Sequence, residues 1–200
     1  MFVTRISIVV LAMAIGASTL AAEHPLKNAD VGDWVMLKAT VTKNGEIEEE
    51  EARKMILAYK NKKGDKAVLY TEELDEDGEY AGSSTESIYF DHDEFDAAKM
   101  LMQPFGGVAN SKKTAEGEET ITIMEKEHAS NWITFTIDDG AGASGEIKIW
   151  FVTGLLFGIA KAEMSAAMGD QTLKIDFLAV ETGKGEVVDL GDFLKNAGIE

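Results

Sequence analysis

The chain has 200 residues, with 36 acidic against 19 basic side chains and a formal net charge of −17 at pH 7. This length fits one domain, and a chain of this size buries roughly 70% of its unfolded surface without needing disulfides or metal. The negative charge repels phosphate backbones and anionic headgroups, which argues against nucleic-acid binding. The absence of cysteine excludes disulfides, a thiol nucleophile and the lipid-modified cysteine of a bacterial lipoprotein.

The N-terminus has the pattern of a secretory signal peptide. Arg5 supplies a positive charge, residues 6–15 are apolar, and residues 17–22 are small enough for a cleavage site. The apolar run is about ten residues, half of the roughly twenty that cross a bilayer. We therefore expect residues 1–22 to be a signal peptide and residues 23–200 to be one domain, periplasmic or secreted, without a membrane span.

Alternating hydrophobicity predicts strands through the first half of the chain. Val35, Leu37, Ala39 and Val41 alternate with polar neighbours before the Asn44–Gly45 turn. Further strands are predicted over residues 53–60, 66–72 and 87–90. The glutamates of residues 48–51 follow the first turn, and we expect them to form a solvated turn.

The second half repeats this pattern with glycine-rich turns. Ile121 and Ile123 are expected to begin one strand, and Gly140 to Gly145 to separate the next two. Later strands are predicted over residues 132–137, 147–152, 159–165 and 172–180, the last two forming a hairpin. Strands at this spacing, with one apolar and one mixed face, indicate an antiparallel sheet.

One helix is predicted to interrupt the strands, near residues 93–103. Asp91 or Asp93 can cap it, and Pro104 ends it. Its apolar stripe comprises Phe95, Ala98, Leu101, Met102 and Phe105. Residues 189–197 are compatible with a second short helix. The expected fold is α+β and mostly β, a strongly curved, half-barrel-like antiparallel sheet of about eight to ten strands with one helix packed across it.

Two acidic runs resemble metal sites without completing one. Residues 91–96 contain Asp91, His92 and Asp93, but neighbouring residues at a helix start diverge, and capping explains the run. Residues 73–78 resemble the start of a calcium loop, yet its twelfth position is Ser84 and its flanks are strands. We expect no dedicated metal site and no cofactor, with weak calcium association left open.

No catalytic motif stands out in the sequence. The three histidines are scattered, no Gly-x-Ser-x-Gly elbow presents a nucleophile, and the glycine-rich segments lack the lysine of a phosphate loop. The expected class is a non-enzyme.

The segment 153–158 is more apolar than a connection between strands should be. It carries Leu155, Leu156 and Phe157 between two glycines. Two interpretations stay open: the segment folds over the core, or it forms an apolar lip on a cavity that contacts a ligand, lipid or partner. Trp34, Trp132 and Trp150 fall on strands and are expected to pack rather than bind.

The chain resembles a group of uncharacterised secreted proteins of planctomycete type. The resemblance rests on short motifs spread over most of residues 23–200: Val-Gly-Asp-Trp-Val at 31–35, Gly-Glu-Glu-Thr-Ile at 117–121, Asn-Trp-Ile-Thr-Phe at 131–135, Trp-Phe-Val-Thr at 150–153 and Gly-Ile-Ala-Lys-Ala-Glu at 158–163. The cysteine that often precedes the central tryptophan and a proline before Gly158 are absent here. The layout also looks like that of the lipoprotein-carrier superfamily, which implies a curved half-barrel that binds acyl chains in the periplasm.

The leading expectation is therefore a non-catalytic binding protein that holds an apolar ligand or lipid in the concavity of the sheet. Leu155, Leu156 and Phe157 would form its rim, and Phe95, Leu101 and Met102 of the predicted helix its lid. The alternative is an acidic structural or interaction protein of the cell envelope that binds cations or a basic protein partner and has no small-molecule ligand.

Overall fold

A computed structural model describes residue 26 and residues 29–63, 65–75, 77–89, 110–138, 143–156 and 158–199. The described residues form nine strands and one short helix. In chain order these are β1 Asp33–Lys43, β2 Glu46–Lys60, β3 Lys66–Leu74, β4 Tyr80–Tyr89, β5 Asn110–Ile123, β6 Lys126–Asp138, β7 Ala143–Phe151, β8 Ile159–Met168, β9 Gln171–Lys184 and α1 Phe193–Asn196.

All nine strands belong to one antiparallel sheet with the order β4-β3-β2-β1-β9-β8-β7-β6-β5. Strands β1 to β4 form one meander and β5 to β9 a second. The two meanders meet where β1 pairs with β9, from Asp33 opposite Lys184 to Lys43 opposite Leu173. Within the described residues, no helix is long and apolar enough to cross a membrane.

Alternate residues place the main hydrophobic core on one side of the sheet, which we call the inner face. It carries Val35 and Ala39 of β1, Met55 and Leu57 of β2, Ala67 and Leu69 of β3, Ile147 and Ile149 of β7, Ala162 and Met164 of β8, and Ile175 and Phe177 of β9. Each of these side chains is at most 7% exposed. The opposite side, the outer face, carries mostly polar residues and the three tryptophans.

The sheet curls strongly. Strand β5 is four positions from β9, and strands in a flat sheet lie about 4.8 Å apart, which would separate the two by about 19 Å. Their Cα atoms nevertheless approach within 8 Å. The predicted fold class, a mostly β, curved antiparallel sheet of about eight to ten strands, is confirmed. The predicted helix near residues 93–103 lies outside the described residues.

Three strand boundaries differ from the prediction for one physical reason. Ile121 and Ile123 end β5 rather than begin a strand, β4 starts at Tyr80 rather than near residue 87, and the glutamates of residues 48–51 lie in β2 rather than in a turn. Glu50 lies opposite Thr40 of β1, and its carboxylate is 3.1 Å from Lys38 Nζ. Polar strands at sheet edges and ends lack the alternation that marks a half-buried strand.

Two tryptophans on the outer face lie flat against glycines of the neighbouring strand. Trp34 is directly opposite Gly183, and Trp132 is directly opposite Gly117. A Cβ built on either glycine would lie 2.7 Å from the Cζ2 atom of the facing ring. Each ring therefore occupies the space that a side chain would fill, which is how an aromatic residue compensates for glycine in a strand.

We predict that Gly117→Ala and Gly183→Ala each lower the free energy of unfolding by about 1–3 kcal/mol, because the indole must leave its position. Denaturant unfolding of the purified variants measures this. The matched control is Gly82→Ala in β4, where the nearest atom to an added Cβ is the flexible Glu73 Oε2 at 3.7 Å. Equal effects at all three positions would show that the indole contacts are not the cause.

Candidate functional site

A groove opens where the end of β5, the start of β6 and the end of β7 lie side by side. Its volume is about 420 Å³, and it is lined by Glu118, Glu119, Thr120, Ala129, Ser130, Asn131, Phe151 and Thr153. The pairing register explains this set, because Glu118, Asn131 and Phe151 are directly opposite one another on the three strands. Phe151 also packs against the main core. The groove thus joins a mostly polar entrance to the apolar inner face.

The loop after β7 borders this groove and turns back on itself. The Val152 amide donates to the Gly158 carbonyl at 2.8 Å, and the Gly158 amide donates to the Leu155 carbonyl at 3.0 Å. Gly154 and Gly158 have φ values of 95° and 73°, which favour glycine. These constraints let a short loop present its leucines to the protein while Thr153 stays exposed.

The two described rim candidates contact the protein interior. Leu156 is 4% exposed and belongs to the main core. Leu155 is half-buried and packs both against this core and against a small second cluster formed by Ile123, Val152 and Ala160. The structure therefore brings both leucines to the end of the apolar face, beside the groove.

The other predicted site residues are not placed. Phe157, Phe95, Leu101 and Met102 lie outside the described residues, so their roles as rim and lid stay predictions. No group of three or more histidines and carboxylates that could hold a metal occurs in the described parts of the chain. In the loop that resembles a calcium site, Asp75 Oδ1 instead accepts the amides of Asp77 and Glu79, at 3.0 and 2.8 Å, and closes the β3–β4 turn.

A charged side chain is buried on the part of the inner face that β2 and β3 form, which we call the β2–β3 wall. Arg53 of β2 is 7% exposed, lies opposite Leu37 and Glu73, and shares its face with Met55. Its Nη2 donates to Glu51 Oε2 at 3.0 Å and lies 3.8 Å from Glu73 Oε1. Its Nε is buried and has no hydrogen-bond partner.

Two carboxyl groups near this wall are affected by burial. Burial raises the pKa of Glu51, and a hydrogen bond with Glu49 raises it further, although Arg53 acts in the opposite direction. Burial alone raises the pKa of Glu86, on the edge strand β4. Both groups consequently protonate more readily than an exposed glutamate as the pH falls.

On the outer face behind the groove, lysines and tryptophans form a layered cluster. Lys148 Nζ lies 4.3 Å from the ring centroids of both Trp132 and Trp150, and Lys161 Nζ lies 4.7 Å from Trp150. Glu119 accepts hydrogen bonds from Trp150 Nε1 and, at 3.0 Å, from Lys148. The rings are covered by protein groups, so this cluster braces β5, β6 and β7 rather than offering an aromatic surface to a ligand.

Sequence reasoning missed the polar residues of the groove and Arg53. Glu118, Thr120 and Asn131 lie on β5 and β6, where only pairing across strands brings them together. The burial of Arg53 could have been predicted from the sequence, because Arg53 is two residues before Met55 and four before Leu57 and therefore shares their face of the strand. A charged residue at such a position of a strand is rarely fully buried unless it is paired.

Comparison with known proteins gives no family. No family model matches the chain, and no curated protein matches it. One similar solved structure is a predicted exported protein with a YmcC-like fold from Bacteroides fragilis, with 8% identity, a TM-score of 0.46, and coverage of 78% of this chain and 97% of that one. Another is a predicted lipoprotein from Parabacteroides distasonis, with 11% identity, a TM-score of 0.45, and coverage of 77% and 96%. The resemblance to planctomycete-type proteins and lipoprotein carriers stays a prediction from the sequence.

The hydrogen bond from Trp150 and the ammonium of Lys148 hold the pKa of Glu119 below its ordinary value. A carboxylate with a lowered folded-state pKa stabilises the fold above its unfolded-state pKa and loses this effect as the pH falls through the folded-state pKa. We predict that Glu119→Gln costs less than about 1 kcal/mol at neutral pH, since the group is partly exposed, and nothing in strong acid. Unfolding free energies measured from pH 7 downward test this. Glu118→Gln, on the opposite face, is the control. If the destabilisation by Glu119→Gln grew as the pH fell, the lowered pKa of Glu119 would be contradicted.

The burial of Leu156 predicts a large effect of truncation. Leu156→Ala should lower the free energy of unfolding by about 2–4 kcal/mol, because it leaves a cavity in the core. Leu155→Ala, half-buried in the same loop, should cost clearly less. Thermal and denaturant unfolding of the two variants measure the difference. Equal, small effects would mean that the loop is not packed on the core.

Proposed function

We propose that the protein is a non-catalytic secreted or periplasmic binding protein that holds an apolar ligand or lipid against the inner face of its curved sheet. One observation carries the proposal: a single sheet presents one continuous apolar face across β3, β2, β1, β9, β8 and β7, and it curls around that face. An apolar sheet face must be covered, either by the chain itself or by a ligand.

The inner-face side chains are almost completely buried, so a ligand has to displace part of the chain that covers them. Leu155 and Leu156 cover one end of this face from the loop beside the groove. The predicted lid of Phe95, Leu101 and Met102 is the second candidate cover. The roughly 420 Å³ groove, which Thr153 of this loop and the edge strand β5 line, is the entrance in this proposal.

The polar lining of the entrance indicates how a ligand would enter. Hydroxyl, amide and carboxylate groups of Thr120, Asn131 and Glu118 line it, while Phe151 connects it to the core. An amphiphile would pass these groups and place its chain on the inner face. The net charge of −17 disfavours an anionic ligand approaching from solution.

The alternative role as an acidic interaction protein is favoured by a different surface. The start of β2 exposes Glu46, Glu48 and Glu50 together with Ile47, which is 64% exposed. A basic partner with an apolar contact residue would fit this surface. Association held by charge weakens sharply with ionic strength, whereas an apolar ligand stays bound.

Native mass spectrometry on the protein secreted by a bacterial host, followed by organic extraction, tests the proposal. The expected result is an additional mass of a lipid or similar small molecule that persists in high salt and extracts into solvent. Protein refolded from denaturant serves as the empty control, and incubation with mixed lipids should restore the added mass. A bare polypeptide mass before and after this incubation would contradict the binding role and favour the interaction protein.

A further inference from the structure

Arg53 has a feature that packing alone does not explain. It is the second of only two arginines in the sequence, and it lies on the inner face beside Met55, one of the most deeply buried residues of the core. Its Nη2 atom contacts Glu51 and Glu73, yet its Nε–H is buried without an acceptor. Buried donors in proteins almost always have partners, because leaving one unpaired is unfavourable.

We propose that Arg53 is the polar anchor of the ligand site, and that its Nε–H donates a hydrogen bond to an uncharged oxygen of the ligand, such as an ester carbonyl or a hydroxyl. This inference rests on the proposed binding function and adds the class of ligand. The strand register places the anchor on the wall formed by β2 and β3, where Arg53 lies between Leu37 and Glu73 and continues the apolar row of β2.

The charges around Arg53 select against an anionic head. Two carboxylates, Glu51 and Glu73, already face its single positive charge. A third carboxylate, from a free fatty acid, would add an uncompensated negative charge to a poorly solvated site. A neutral acceptor satisfies Nε without adding charge. A further inner-face group of this wall, the buried hydroxyl of Thr71 opposite Ser84, is neutral and compatible with an ester or hydroxyl group.

The test uses 1-monooleoylglycerol and oleic acid, which share an acyl chain and differ in the charge of the head. Binding to the full chain is measured by isothermal titration calorimetry. We expect monooleoylglycerol to bind at least about tenfold more tightly, because the carboxylate of oleic acid would be a third negative charge beside Arg53. Arg53→Lys keeps the charge but lacks Nε, and Arg53→Gln removes both the charge and Nε. Each variant should bind monooleoylglycerol at least about tenfold more weakly than the unmodified protein, the effect of losing one hydrogen bond to a charged donor.

Lys54→Gln is the matched control for Arg53→Gln. It removes the same charge from the adjacent residue, whose side chain lies on the outer face, 5.0 Å from the ring centroid of Trp34. It should bind monooleoylglycerol as tightly as the unmodified protein. If Arg53→Gln fails to fold, Arg53→Lys and the comparison of the two ligands on the unmodified protein still show whether Arg53 anchors the ligand.

The outcomes separate this inference from the function on which it rests. Equal binding of the two ligands, tighter binding of oleic acid, or unchanged affinity of the Arg53 variants for monooleoylglycerol would overturn the anchor while leaving the binding role intact. Binding of neither ligand, together with a bare mass in the extraction experiment, would overturn both.

Discussion

The pairing of β1 with β9 is the interaction on which the rest of the structure depends. Among the described strands it joins two meanders, β1 to β4 and β5 to β9, that would otherwise be separate small sheets. It also aligns their faces, since Ala39 lies opposite Phe177 and Val41 opposite Ile175. A slip of one residue would turn every inner side chain outward. The continuous apolar face, its curvature and the groove at its end all follow from this register.

The central strands of the sheet could be predicted from the sequence, whereas most of the edge strands β4 and β5 could not. Val35, Ala39, Ile147 and Ile149 alternate with polar residues because one face is buried and the other solvated, so period-two reasoning located their strands. The first eleven residues of β5 and most of β4 are polar on both faces as edge strands, and nothing in their pattern marks them. The groove depends on pairing between Glu118, Asn131 and Phe151, which no local pattern contains.

The inner face is not uniformly apolar. Its polar residues lie toward the two edges of the sheet, on β2 and β3 at one side and on β5 and β6 at the other. The floor formed by β1, β9, β8 and β7 carries aliphatic and aromatic side chains, whereas Arg53 and Thr71 lie on one wall and Asn131 and Thr120 near the other. This distribution is what an amphiphile would require, since its chain and its polar end need different surroundings. The tryptophan, glycine and lysine contacts of the outer face hold the walls without taking part in binding.

Methyl NMR of the protein labelled at methionine, with 1-monooleoylglycerol added in steps, tests most directly whether the curved sheet holds a ligand. Met55 and Met164 are 1% and 2% exposed on the inner face, whereas Met36 of β1 lies on the outer face and is an internal reference. A ligand site on the inner face predicts that the Met55 and Met164 methyl resonances shift and show contacts with the acyl chain, while the Met36 resonance stays unchanged. Unchanged inner-face resonances, or shifts of equal size at Met36, would contradict a ligand site inside the curved sheet.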